Sequence, residues 1–264
     1  MKILNGKELA DFIKERQAHQ VAALKKKPTL LILRDNDNPV INKYVQLKIN
    51  YGADLGIKVI DHLATSTDAL QTEIIRANND PDITAIILQL PITDKSKTDS
   101  LTDLIAPEKD VDGLGRNAKF DSATATAILW LLAGYDINLD HQKIALVGRG
   151  KLVGAPLEKM LTNSHRSVTV FHKGDDLTKL KDFDIIISAT GVPGLISDSV
   201  VKPGACLVDA GTASENGVIK GDASDALRAR TDLAAITPLK GGVGPLTVTC
   251  LFDHVIQTAK QHNK

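Results

Sequence analysis

The stretch from Ile144 to Pro156, IALVGRGKLVGAP, constrains this chain more than any other part of it. A short apolar run breaks into a turn with three glycines and then resumes with helical composition. That order reads as a strand, a tight turn and a helix N-terminus, the arrangement that cradles a dinucleotide pyrophosphate. Gly148 and Gly150 are expected to let the backbone turn sharply beside a phosphate, and Gly154 to let helix and strand pack closely. The spacing is GxGxxxG rather than GxGxxG. Taken alone, such a string fits a plain tight turn equally well.

A nucleotide fold predicts that the next strand ends, about 20 residues on, in a side chain that reads the adenosine ribose. Here the run Ser167 to Phe171 ends in His172 and Lys173. Together with Arg149 in the glycine turn, these groups would gather positive charge near a 2′-phosphate, which favours NADP over NAD. Asp175 and Asp176 follow closely, and a carboxylate swung towards an unphosphorylated ribose is the alternative.

Elsewhere apolar runs alternate with longer helical stretches, which predicts an α/β fold with parallel sheets covered on both faces. Thr29–Leu33, Lys58–Leu63 and Ala85–Leu90 read as strands, with helices over Val40–Leu55 and Thr67–Asn78 between them. A second strand series comprises Ile144–Val147, Val168–Phe171, Ile185–Ser188, Cys206–Asp209 and Ala235–Ile236. The polar segment 113–122 and a helix over 123–133 separate the two series. The expected organisation is two lobes around a cleft: residues 1–118 with 249–264 as the substrate lobe, and 119–248 as a doubly wound, Rossmann-like nucleotide lobe.

Acidic and basic residues balance at 32 each, which argues against nucleic-acid or membrane-surface partners. No apolar run approaches a membrane span, and Met1 to Ala10 lacks a secretion-signal pattern, so a cytoplasmic location is expected. Cys206 and Cys250 sit in apolar sequence and read as buried thiols. They lack metal-ligand spacing, and no metal is expected.

The substrate lobe should carry the chemistry. Tyr44 and Lys48 lie four residues apart in a predicted helix and share a face. A lysine amine whose pKa is lowered by burial can move protons near neutrality. Gln89 interrupts AIILQLP, where a buried parallel strand should stay apolar, at the strand end where open α/β sheets place ligands. In EKDVDG, alternation puts Asp110 and Asp112 on one side of an extended segment. One could bind a donor-rich heterocycle while the other holds the loop. Late in the chain, PLKGGVGPLT offers further backbone amides to a ligand.

In this order these strings resemble the bifunctional methylenetetrahydrofolate dehydrogenase and methenyltetrahydrofolate cyclohydrolase family over nearly the whole chain. Tyr44 and Lys48 match its YxxxK helix, Leu88–Pro91 its LQLP strand and Pro107–Gly113 its acidic loop. Gly148–Pro156 matches its phosphate loop, Val153 included. Ala189–Gly194, with Thr190 and Gly191, matches a nucleotide-side loop, and Gly241–Thr247, with Gly241 and Pro245, its late glycine loop.

The resemblance implies two consecutive reactions on tetrahydrofolate as the carrier: oxidation of the 5,10-methylene form with NADP, then hydrolysis of the methenyl cation to the 10-formyl form. It implies Lys48 as the acid/base group, oriented by Tyr44 and tuned by Gln89. Asp112, and with it Asp110, would bind the pterin, and Gly241 and Pro245 would border the substrate. Gly148, Arg149, Gly150, Val153, Gly154, His172, Lys173, Thr190 and Gly191 would form the cofactor site. A homodimer through the nucleotide lobe is also implied, with the helix Leu251–Lys260 packed back on the substrate lobe. The sequence departs from the family pattern at Ser122–Ala127, SATATA, where PxTPxG is usual. It also has Gly150 in place of a serine and Lys240 in place of a proline. Other readings are a dehydrogenase with weak hydrolysis or NAD preference, and a noncatalytic folate or nucleotide binder. An enzyme acting on an amino or keto acid would need a carboxylate clamp, for which the first half offers only Arg34.

Overall fold

The computed structural model describes residues 1–211, 213–215 and 218–262. In chain order the first elements are β1 (Lys2–Ile3), α1 (Gly6–Ala22), β2 (Thr29–Arg34), α2 (Pro39–Leu55) and β3 (Lys58–Leu63). Next come α3 (Thr67–Asn79), β4 (Ala85–Leu88) and α4 (Thr98–Leu104). After an irregular stretch follow α5 (Ala123–Gly134), β5 (Ile144–Val147), α6 (Gly154–Asn163), β6 (Val168–Phe171), β7 (Ile185–Ser188) and β8 (Cys206–Asp209). The last are β9 (Ala213–Glu215), β10 (Val218–Lys220), α7 (Asp225–Arg228), β11 (Ala235–Ile236) and α8 (Val243–His262).

These elements form two compact units. The first comprises Asp11–Ala123 and the chain from Val248 on; the second comprises Met1–Ala10 and Thr124–Thr247. Met1–Ala10 therefore does not belong with the rest of 1–118, as the sequence reading expected. The reason is strand pairing: β1 lies parallel to β11, with the Lys2 N–H donating to Ala234 O at 2.8 Å and the Leu4 N–H to Ile236 O at 2.9 Å. The other boundary falls at the first turn of α5 rather than at residue 118.

In the first unit the parallel sheet has the order β3-β2-β4. The chain leaves β2 towards one side and returns on the other, so the C-terminal ends of β2 and β4 frame a topological switch point, where α/β sheets place ligands. β4 stops two residues short of the expected strand end, which leaves Gln89 just beyond it, its N–H bonded to Leu33 O at 2.8 Å. Ile86 forms a parallel bridge with Asp110. The acidic segment thus runs as a rudimentary fourth strand and brings Asp112 to the same end as Gln89.

α2 starts where Asn38 caps the Val40 N–H at 2.8 Å and Pro39 fills the first turn, and it stops at Gly56 with φ 72°. Its buried stripe is Ile41, Val45, Lys48, Gly52 and Leu55. A side chain at Gly52 would be crowded: a Cβ would overlap Val59 Cγ2 and lie 3.1 Å from Ile57 O and 3.2 Å from the Phe252 ring of α8. Phe252 is fully buried and meets Tyr51 at 5.0 Å between centroids. The Tyr51 hydroxyl donates to Gln17 Oε1 at 2.8 Å, and Gln17 Nε2 donates to Thr249 O at 2.9 Å. α8 is packed into the first unit by these contacts, and it begins eight residues before the helix expected from Leu251.

The second unit is built on a parallel sheet of order β1-β11-β8-β7-β5-β6, with β9 and β10 as a separate antiparallel pair. Its central strands β5, β7 and β8 are buried throughout. The switch point lies between β5 and β7, whose neighbours on either side are filled in opposite directions. Among the described residues, no helix is long and apolar enough to cross a membrane, and no group of His, Cys, Asp and Glu could hold a metal ion. Cys206 and Cys250 are buried, and burial raises the Cys206 thiol to about 12.

Candidate active site

Lys48 stands in a core position of α2, where a helix normally carries an apolar residue. It is 9 % exposed, and its Nζ donates to Gln89 Oε1 at 2.5 Å. The Gln89 amide is fixed at its other end too, with Nε2 donating to Leu90 O at 3.0 Å. A carbonyl acceptor holds the amine in either protonation state, so the contact does not require a charged lysine. Burial lowers the Lys48 pKa, while Asp112 pulls it the other way. Burial likewise pushes the Asp112 carboxyl up to about 6, opposed by Lys48 and reinforced by Asp110. The opposed shifts leave an amine and a carboxyl that both exchange protons more readily near neutrality than their solvated counterparts.

Tyr44 lies one turn before Lys48 on α2 and is half-buried. Asp110 has a different role from Asp112. Its carboxylate accepts the N–H groups of Gly113 at 3.0 Å, Leu114 at 3.2 Å and Gly115 at 2.8 Å. It is committed to the turn, which is why Asp112 is the carboxyl left for a ligand. Sequence reasoning missed His254 of α8, whose Nδ1 lies 2.8 Å from Val111 O, between the two aspartates. The His254 ring also stacks on Phe120 at 4.4 Å. A histidine inside an apolar helical stripe is the signal for it.

Arg34 supplies no clamp for a substrate carboxylate. Its Nε and one terminal nitrogen make a bidentate pair with Asp61 at 2.8 and 2.9 Å, and the other donates to Asn42 Oδ1 at 2.8 Å. The amino or keto acid reading loses its only candidate.

In the second unit the glycine turn and the loop after β7 meet at the switch point. Gly148 has φ 93°, and a Cβ there would lie 3.0 Å from Ala189 O and from the Thr190 methyl. A Cβ on Gly154 would overlap Gly148 O and come within 2.8 Å of Arg149 Cα. Both glycines therefore let the turn pack closely against backbone that a side chain would strike, the tight approach that a pyrophosphate-binding turn at the N-terminus of α6 requires. Val153 occupies the cap position of α6 without a side-chain bond, leaving the helix's first N–H groups to the turn. Gly150 is different: it faces open space and is not left-handed, so the expected steric need for glycine there does not hold.

Arg149 is half-exposed and its Nε donates to Glu158 Oε2 at 2.5 Å. His172 and Lys173 are exposed at the end of β6. Asp175 accepts the His172 N–H at 2.7 Å, and Asp176 caps Thr178 N at 3.0 Å. Both carboxylates thus close local turns, which weakens the case for either as a ribose reader. Thr190 and Gly191, the latter at φ 67°, shape the loop beside Gly148. Gly241, at φ 84°, gives its carbonyl to the Lys7 N–H at 2.9 Å, and Pro245 lies in the first turn of α8. The late loop is therefore partly helical, not a run of free amides. These residues belong to the second unit, whereas Lys48, Gln89 and Asp112 belong to the first.

Comparison with known proteins points to one family for both parts of the chain. Residues 4–112 match the model of the tetrahydrofolate dehydrogenase/cyclohydrolase catalytic domain, and residues 122–263 that of the NAD(P)-binding domain of the same family. Bifunctional protein FolD of Staphylococcus aureus (strain Newman) is 36 % identical over 98 % of this chain and 96 % of its own. The crystal structure of the bifunctional FolD dehydrogenase/cyclohydrolase from Campylobacter jejuni superposes with TM-score 0.92 at 32 % identity, covering 99 % of each chain. The Trypanosoma brucei enzyme complexed with NADP cofactor and inhibitor gives TM-score 0.90 at 29 % identity, over 98 % of this chain and 97 % of that one. With matches to both domain models and near-complete coverage by a relative, this chain belongs to the tetrahydrofolate dehydrogenase/cyclohydrolase family.

Proposed function

We propose that Lys48, Gln89 and Asp112 perform the cyclohydrolase step of a bifunctional enzyme that oxidises 5,10-methylenetetrahydrofolate with NADP and hydrolyses the methenyl product to 10-formyltetrahydrofolate. The observation that carries this is the buried Lys48 amine held on Gln89 with its pKa lowered. NADP, when bound, accepts hydride from the methylene bridge. That step needs alignment more than proton traffic, whereas hydrolysis needs a base and then an acid.

In hydrolysis, water adds to the methenyl carbon and Lys48 takes one of its protons. The carbon–N5 bond then breaks, Lys48 returns the proton to N5, and the second water proton leaves to solvent. Gln89 keeps the amine in place through both transfers. Asp112 accepts hydrogen bonds from the pterin's N–H groups, and Tyr44 orients substrate beside the lysine. Gly148, Val153, Gly154, Thr190 and Gly191 cradle the dinucleotide.

An absorbance assay with the methylene substrate and either nucleotide, following reduced cofactor and methenyl intermediate separately, tests the reading. Reduced NADP without methenyl accumulation is expected; lasting methenyl accumulation would remove the hydrolase half. Because Asp112 titrates at about 6, it gains a proton as pH falls through that value, and its hold on the pterin weakens. The Michaelis constant for folate should rise on the acid side of pH 6, and this inflection should vanish in Asp112→Asn. An inflection that persists unmoved in the variant would remove Asp112 from the role.

Arg149, released from Glu158, would pair with the 2′-phosphate together with His172 and Lys173. Arg149→Ala should raise the Michaelis constant for NADP several-fold more than for NAD; equal rises would discard this assignment. We also propose a cytoplasmic homodimer joined through the second unit and serving one-carbon supply to purine biosynthesis. Family resemblance supports this part, and sedimentation of the purified chain as a monomer would refute the dimer.

A further inference from the structure

We propose that Asp222 is a positioning residue for the dinucleotide site: it sets the backbone of the loop 189–192, which faces the glycine turn. This rests on the reading that this loop borders NADP. Asp222 is wholly buried. Its Oδ2 accepts the Thr190 N–H at 2.7 Å and the Ser188 hydroxyl at 2.6 Å, and its Oδ1 accepts the Val192 N–H at 3.0 Å. The two backbone donors flank Gly191, which sits at φ 67°. One carboxylate thus clamps both ends of the left-handed residue, and the clamped strand exit is the surface that a Cβ on Gly148 would crowd, at 3.0 Å from Ala189 O and from the Thr190 methyl.

The backbone that carries this side chain is held from behind. Asp209, at the end of β8, accepts the N–H of Asp222 at 3.1 Å and of Ala223 at 2.9 Å, and pairs with Arg228. Arg228 in turn donates to Thr237 O at 3.1 Å. Gly211 leaves the space that the Asp222 carboxylate occupies, because a Cβ there would overlap it. A buried carboxyl must have its oxygens satisfied by donors, and here those donors are the Ser188 hydroxyl and two amides of one short loop.

Asparagine separates positioning from bulk packing. It has the same shape but only one acceptor oxygen, so it can satisfy the amide of Thr190 or of Val192, not both. Asp222→Asn should raise the Michaelis constant for NADP and for NAD alike, on the order of tenfold, the consequence of one lost charge-assisted bond. The turnover number at saturating cofactor should stay within about twofold, and methenyl hydrolysis without cofactor should be unchanged. Ser188→Ala, which keeps both backbone bonds, should give the smaller rise and serves if the asparagine variant does not fold.

Hydrolysis and cofactor use falling together in Asp222→Asn would overturn the proposal in favour of a general packing role. So would an unchanged Michaelis constant, or a Ser188→Ala effect as large as that of the asparagine variant. Gly154→Ala measured beside them distinguishes the two levels of the argument. Lost NADP affinity in Gly154→Ala alone removes the role of Asp222 and keeps the cofactor site. No change in either variant removes the site and the proposal together.

Discussion

Lys48→Met is expected to lower methenyl hydrolysis by about 10²–10⁴-fold, the usual contribution of a positioned acid/base group, while NADP binding followed by calorimetry stays the same. Methionine is the informative replacement because it matches the length and unbranched shape of the lysine stem within the stripe Ile41, Val45, Gly52 and Leu55. It removes an amine that burial already disfavours in its charged form. The fold should therefore tolerate it, at the cost of one lost donor to Gln89 Oε1. The dehydrogenase step should fall much less, because hydride transfer draws on alignment of donor and acceptor rather than on proton movement. The methenyl intermediate should then accumulate in the coupled assay. Hydrolysis at the wild-type rate in the variant would dismiss Lys48 as the proton carrier. A parallel loss of hydrolysis, NADP binding and melting temperature would instead make it a packing residue.

The difference between what the sequence revealed and what it hid follows from how far each feature depends on local pattern. The buried parallel strands β5, β7 and β8 were legible to the residue, because a run such as IIIS or CLVD covered on both faces has few alternatives. Helix α1 was not. Its buried positions are Gly6, Ala10, Gln17 and Val21, of which only two carry an apolar side chain, while Phe12 is 75 % exposed. The apolar period was therefore masked at both the positions that matter and the one that does not. Lys48 was found through its spacing from Tyr44, but the stronger signal was the interruption of a helical core stripe by a lysine. Asp222 gave no local signal, since its meaning comes from loops that only the sheet order brings together. Gly150 erred in the opposite direction: three glycines in one turn look alike in sequence, yet their surroundings differ.

That difference within the turn yields the second large effect. Gly154→Ala should weaken NADP binding by about 10- to 100-fold, the consequence of an overpacking cost of about 1–3 kcal/mol placed on the cradle itself. The methyl group would overlap Gly148 O and crowd Arg149 Cα at 2.8 Å and Gly148 C at 2.9 Å. All are backbone atoms, so relief requires moving the turn that faces the phosphates, not rotating a side chain. Gly150→Ala adds the same methyl two residues into the same turn, where nothing lies within 4 Å and the backbone is not left-handed. It should keep NADP affinity within about twofold and gain a few tenths of a kcal/mol in stability through the unfolded chain. Hydrolysis, which draws on Lys48, Gln89 and Asp112, checks that each variant remains folded. If alanine at 150 weakened NADP as much as alanine at 154, the cradle would depend on glycine flexibility throughout the turn rather than on the close packing of Gly154 against Gly148.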